Sequence, residues 1–169
     1  MAQDQPIKAL VVALVDDAAA AVYSINRLKP EALCFVLPEG SKALVESAVQ
    51  PNIDQMPKRW DWIVLEDVME FSSTFKTLAS SLPELFRTWA IQPGELVVDL
   101  SGAKPAMAAA LTLVAVPWTS RVVAVIPAQE GQEDDRVELN GESFIWTQSN
   151  PWDEQAAVAR REGCELFNR

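Results

Sequence analysis

Residues 94–116 read "GELVVDLSGAKPAMAAALTLVAV", and this stretch decides the fold. A short apolar run rich in valine, 96–98, suits a strand buried on both faces, as in a parallel sheet. A turn of small residues follows, with Ser101, Gly102 and Ala103 and then a cation, Lys104. Pro105 fits the first position of a helix, where a missing N–H costs nothing. The alanine-rich segment behind it is that helix. A strand handing over to a helix through a tight turn is the half-unit of an α/β fold.

The same alternation runs outward in both directions. "IKALVVALV" (7–15) is a first strand, and "DDAAAAVYSINRLKP" (16–30) its helix, with Asp16 or Asp17 as cap and Pro30 at its end. "EALCFVLPEG" (31–40) is a second strand, and "SKALVESAVQ" (41–50) a helix capped by Ser41. "WDWIVLED" (60–67) is a third strand. "FSSTFKTLASSLPELFRTWA" (71–90) is a long amphipathic helix, in which Pro83 either breaks the helix or begins its second half. "SRVVAVIP" (120–127) is a fifth strand. Beyond it, 128–135 is an acidic, turn-rich loop, and Asn140-Gly141 between two short alternating segments signals a hairpin. The pattern predicts an α/β fold: a Rossmann-like three-layer sandwich with a mostly parallel sheet and a C-terminal antiparallel hairpin. Residues 1–150 form the domain, and 151–169 an exit helix or linker.

Composition narrows the chemistry. The chain has 169 residues, 24 Asp and Glu against 14 Lys and Arg, a formal charge of −10 and no histidine. Such a balance opposes a duplex-DNA binder, which needs a broad basic face. Histidine acid–base catalysis, Ser-His-Asp triads and histidine metal sites are excluded outright. No CxxC spacing supports a metal, so neither metal nor cofactor is expected. The apolar runs are too short to span a bilayer, and the N-terminus lacks a signal-peptide pattern. With Cys34 in an apolar run and Cys164 far from it, a buried free thiol and a cytoplasmic location are the expectation. Of the six tryptophans, Trp60 and Trp62 are expected to pack at the core or rim at the end of the sheet away from the site. Trp118 and Trp146 are expected to pack the sheet end, and Trp152 to anchor the exit helix.

In an open parallel sheet, ligands bind beyond the carboxyl ends of the strands, near a switch in strand order. Two turns are candidates: Asp16, Asp17 and Ala18 after the first strand, and Ser101 to Lys104 after the fourth. Helix N-termini there supply N–H donors and partial positive charge. Ser101 adds a hydroxyl, Gly102 and Ala103 let a phosphate or ribose approach, and Lys104 adds a mobile cation. Tight packing alone is the competing explanation for the small residues. Neither G-x-x-x-x-G-K-[ST] nor G-x-G-x-x-G is present, which disfavours P-loop and nicotinamide enzymes. The apolar helix at 106–116 is either deeply buried or the face of a symmetric dimer that would set two Ser101–Lys104 turns side by side.

The layout resembles the CRISPR-associated Rossmann fold, or CARF, domains. The likeness rests on "VVALVDDAAAAVYSINRLKP" and "ELVVDLSGAKPAMAAAL" and covers nearly the whole chain. Against the pattern D-x-T-G-G-T-K-x-M, Asp99, Ser101, Gly102 and Met107 fall in register. Ala103 replaces the second glycine, and the lysine comes one residue early, at Lys104. The resemblance implies a homodimeric sensor of a cyclic oligoadenylate, most simply the tetra-adenylate, in type III CRISPR defence. The ring would lie across the two-fold axis on Asp16, Asp17, Ala18, Ser101, Gly102, Ala103, Lys104 and Met107. It also implies an effector domain in the same full-length chain. Two alternatives stand beside it. One is a metal-independent ring nuclease with Ser101 and Lys104 as catalytic candidates. The other is a Rossmann-like protein-interaction domain.

Overall fold

The computed structural model describes residues 7–92, 94–119, 121–126 and the strand 144–148. The first strand, β1 (Ala9–Ala13), is buried at all five positions. Helix α1 (Ala19–Leu28) leads from it to β2 (Ala32–Pro38). A helical segment of changing pitch then runs from Glu39 to Asn52, with a single α-turn, α2 (Lys42–Leu44), between a 3₁₀ turn and a π turn. Strand β3 (Arg59–Leu65), α3 (Phe71–Thr88), β4 (Leu96–Asp99), α4 (Pro105–Ala115), β5 (Val122–Ile126) and β6 (Phe144–Gln148) follow.

The strands form one sheet in the order β3-β2-β1-β4-β5-β6. All pairings from β3 to β5 are parallel, and β6 runs antiparallel to β5. The α/β sandwich expected from the sequence is therefore present, with an antiparallel edge. The Asn140-Gly141 turn, the first arm of the expected hairpin and the exit helix at 151–169 lie outside the described residues, as do Cys164 and Trp152.

Alternate residues of each strand feed two cores. Val11, Cys34, Ile63 and Val98 face α3 and α4, meeting Leu78, Phe86, Met107 and Leu111. Leu10, Phe35, Val97 and Val123 face the other way, onto Ala21 and Ile25 of α1 and onto Val45 and Val49. Burial on both faces explains why β1 and β2 show no polar alternation. Cys34 is a buried free thiol, and desolvation pushes its pKa well above the ordinary range.

Helix α3 buries Thr74, Leu78, Leu82 and Phe86, one residue every fourth position, which is the inward stripe of an amphipathic helix. Pro83 neither breaks nor starts it; it lies inside the continuous helix. The carbonyl four residues back belongs to Ala79, an exposed residue, so the lost bond falls on the solvent side of the helix. The α3 N-cap is Glu70, whose carboxylate accepts the N–H of Ser72 at 2.9 Å and of Ser73 at 2.6 Å. Ser41 does not cap through its side chain, as its spacing suggested. Its hydroxyl donates instead to the Val15 carbonyl across the fold. Trp60 sits 38 % exposed on the edge strand, edge-on to Trp62, and Trp118 packs edge-on against Phe86. Among the described residues no helix is long and apolar enough to cross a membrane.

Candidate functional site

Strand order reverses between β1 and β4: the chain leaves β1 toward β2 on one side, and β4 returns on the other. The turns after these two strands therefore stand next to each other at the carboxyl edge of the sheet, the position where open α/β sheets take ligands.

Asp99 ends β4 and is 1 % exposed. A buried carboxylate is costly unless its oxygens are hydrogen-bonded. One oxygen accepts the Ser101 N–H at 2.8 Å and also the Ser101 hydroxyl. The other accepts the hydroxyl of Ser24, which is 0 % exposed on the inner face of α1. Burial pushes the Asp99 carboxyl above the usual aspartate range, while the bonds from Ser101 and Ser24 hold it back. Ser101 Oγ in turn accepts the Val125 N–H of β5 at 2.7 Å. The Ser101 hydroxyl thus has both a donor and an acceptor role filled inside the protein. It joins β4 to β5 rather than standing free.

Gly102 has an equally internal reason. A Cβ at this position would stand 2.4 Å from the Ala13 carbonyl oxygen at the end of β1. The turn after β4 packs directly on β1, and only a residue without a side chain fits. Ala103 donates its N–H to Leu100 at 3.0 Å and packs on the core edge. Lys104 is the N-cap residue of α4, with Pro105 as the first helical residue, as the sequence suggests. Its ammonium forms an ion pair with the Asp16 carboxylate, tying the two turns together across the switch point. The side chains of Lys104 and Asp16 are 38 % and 70 % exposed, so this pair faces solvent.

Asp17 accepts the Ala19 N–H at 3.0 Å, but the N-cap residue of α1 is Ala18 with no side-chain cap, so neither Asp16 nor Asp17 takes the capping position the sequence suggests. Among the described residues, the N–H groups of Asp16, Asp17, Ala18, Gly102 and Lys104 meet no protein acceptor. The N-termini of α1 and α4 add partial positive charge on the same side. The edge therefore offers backbone donors and one movable cation. Ala18 is almost wholly buried, and Met107 is 0 % exposed within the core beneath the turn. Met107 packs the site from below and does not share its surface.

Ser24 was not legible as a partner of this region. Its signal, in retrospect, is a serine on the same helical face as Ala21 and Ile25, paired in space with a lone acid at the end of an apolar strand. A buried acid must find donors, and Ser24 supplies one.

Solved structures share this fold. Csm6 from Enterococcus italicus, bound to cyclic hexa-2'-fluoro-hexa-dAMP, matches with a TM-score of 0.66 and 13 % identity, over 96 % of this chain and 45 % of that one. Can2 from Sulfobacillus thermosulfidooxidans, in complex with cyclic tetra-adenylate (cA4), matches at 0.54 and 14 % identity, over 82 % of this chain and 37 % of that one. Protein VC1899 from Vibrio cholerae matches at 0.53 and 14 % identity, over 77 % and 36 %. The chain thus spans less than half the length of each. At these identities the likeness is one of fold, and at that level the resemblance to CARF domains is borne out. No family model matches the sequence, and neither does any curated protein.

Proposed function

We propose that the chain is a sensor domain that binds a cyclic oligoadenylate as a homodimer and regulates a linked effector in type III CRISPR defence. Cyclic tetra-adenylate is its preferred ring. The observation that carries this reading is the pair of turns at the switch point, with N–H groups beside Lys104 that meet no protein acceptor among the described residues, in a fold shared with one protein solved with cyclic tetra-adenylate and one with cyclic hexa-2'-fluoro-hexa-dAMP. Phosphodiesters need donors and a cation rather than an acid–base pair, and backbone N–H groups at helix N-termini serve that need in an acidic protein. To meet a phosphate, Lys104 exchanges its Asp16 partner for the ligand.

A dimer through α4 fits the same reading. Leu113 is 45 % exposed on that helix, and Ala109 lies exposed one turn before it. A two-fold axis beside α4 would bring two Ser101–Lys104 turns onto one ring, whose own rotational symmetry matches.

The ring nuclease remains the second reading, favoured by the movable Lys104 cation. There a ribose 2'-hydroxyl attacks the adjacent phosphate, the 5'-oxygen leaves, and a cyclic phosphate forms. The protein aligns the attack and stabilises charge. Ser101 is ill placed for this chemistry because its hydroxyl is already engaged at Asp99 and Val125.

The test is calorimetric titration with cyclic tri-, tetra- and hexa-adenylate, followed by chromatography of the mixture. The proposal expects saturation at one ring per two chains, with the tetra-adenylate recovered intact. Linear products would make the protein a ring nuclease. No heat with any ring would reject both and leave a protein-interaction domain.

A further inference from the structure

A second concavity lies at the opposite end of the sheet, where β1, β2 and β3 begin. It is a cavity of about 690 Å³, within the range of roughly 300–1,000 Å³ usual for small-molecule sites. Four cations line it, Lys8, Lys29, Lys58 and Arg59, against two carboxylates, Glu31 and Asp54. That reverses the balance of a chain in which acids outnumber bases 24 to 14. A concave surface with one excess sign concentrates its field on whatever enters. The apolar part of the lining is the half-buried Met56 and Pro57 together with Ile25, Trp89 and Ile91, which are almost wholly buried.

The cations are held to different degrees. Arg59 donates to the Trp89 carbonyl at 3.3 Å, which fixes it at the end of α3. Lys8 pairs with Glu95 at 2.5 Å. Lys29 meets Asp54 only loosely, at 3.5 Å, with both side chains largely exposed. Lys58 has no protein partner among the described residues. Two cations are therefore available to a ligand without loss of a strong internal contact.

The backbone supplies an independent observation. Among the described residues, two that are not glycine have a positive φ: Lys29 at 46° and Ala90 at 54°. Both line this cavity, one just past the end of α1 and the other just past the end of α3. Glycine is the unstrained residue for such helix ends. Keeping side chains at both places puts strain on one concavity, as happens at binding sites.

We propose that this cavity is a binding site for a small organic anion: a single phosphate, sulfonate or carboxylate carried on a planar apolar body. The body rests on the apolar lining at Met56, Pro57 and Trp89, and Lys29 and Lys58 take the charge. This site is separate from the switch point and stands whether or not a cyclic oligoadenylate binds there.

The test uses the full chain and two probes of the same shape, anilinonaphthalene sulfonate and its neutral counterpart phenylnaphthylamine. Fluorescence titration gives the affinities, and amide shifts in the NMR spectrum locate the sites. The sulfonate is expected to bind at least about tenfold more tightly than the neutral probe, with shifts centred on Lys29, Lys58 and Ala90. Lys58→Glu is expected to lower sulfonate affinity by about tenfold while leaving the melting temperature in place, since Lys58 has no partner among the described residues. Equal affinity for the two probes would overturn the anion class. Shifts centred at the switch point, or an unchanged affinity in Lys58→Glu, would overturn the site.

Discussion

Gly102→Ala tests whether the switch point is held together by backbone packing. The added methyl group would stand 2.4 Å from the Ala13 oxygen and 3.3 Å from its carbonyl carbon. Ordinary contact begins at 3.4 Å, so the two segments must part by about 1 Å to relieve the overlap. No side chain can rotate away, because both obstacles are main chain. The end of β1 is also pinned, with the Leu14 N–H bonded to the Val36 carbonyl at 2.9 Å. Overpacking of this kind costs about 1–3 kcal/mol. In a chain of this size each kcal/mol lowers the melting temperature by roughly 2–4 °C, which gives a fall of roughly 2–12 °C. Gly40→Ala is the matched control, since nothing lies within 4 Å of a Cβ there. It is expected to stay within about 0.5 kcal/mol of the parent. Calorimetry and urea midpoints on the three proteins decide the matter. A Gly102→Ala protein that melts with the parent would refute the packing argument and return Gly102 to the ligand's side of the turn.

Asp16→Asn frees Lys104 from an exposed ion pair worth at most about 1 kcal/mol, so tetra-adenylate affinity is expected to rise up to about fivefold. Lys104→Ala is expected to weaken it by about 1–3 kcal/mol; titrations in which both variants bind like the parent would remove the pair from the site. Glu70, held down to about 2 from 4.5 by the N–H groups of Ser73 and Ser72, carries a folded-state pKa below its unfolded one. Its contribution is present above pH 4.5 and lost as pH falls toward 2, and Glu70→Gln is expected to flatten that part of the acid limb in urea midpoints. Parallel acid limbs would show that the cap is not felt. Asp99 works the other way: burial raises its pKa above 3.8, so its contribution is present at low pH and lost as pH rises through the folded value. Asp99→Ala leaves the Ser24 hydroxyl without its acceptor, at about 1–3 kcal/mol for each stranded buried donor, and a denaturation midpoint equal to the parent's would contradict the network.

The central strands were legible because their environment is uniform. Burial on both faces writes β1 as "ALVVA" and β2 as "ALCFVLP", and no other element needs so unbroken an apolar run. The alternation of strands and helices gives the parallel sandwich, while the order β3-β2-β1-β4-β5-β6, which brings the two turns together, is seen only in the structure. What escaped the sequence depends on partners distant in the chain. Ser41 has the form of a helix cap, yet its hydroxyl goes to Val15, 26 positions away. Asp16 has the form of a cap too, but Lys104, 88 positions on, claims it. Pro83 reads as a break or as the start of a second half because local rules assume that the lost bond matters; here that bond falls at the exposed Ala79 and the helix continues. The changing pitch of residues 39–52 has no signature in "EGSKALVESAVQPN" beyond Pro51 near its end.

The small residues of "SGAK" suit either the approach of a ligand or tight packing, and the structure gives each of the first three an inward duty. Ser101 bonds Asp99 and β5, Gly102 clears Ala13, and Ala103 closes the turn onto Leu100. What remains outward is Lys104 and a set of backbone N–H groups. Backbone donors do not depend on side-chain identity. Exchanging a glycine for Ala103, or shifting the lysine by one position, therefore leaves the backbone donors of the proposed site in place. Asp99, Ser101 and Gly102 match the CARF pattern where the turn is packed; of the departures, Lys104 faces solvent and Ala103 lies at the core edge. On this reasoning the matching residues preserve the shape of the turn, and the shape in turn aims the N–H groups.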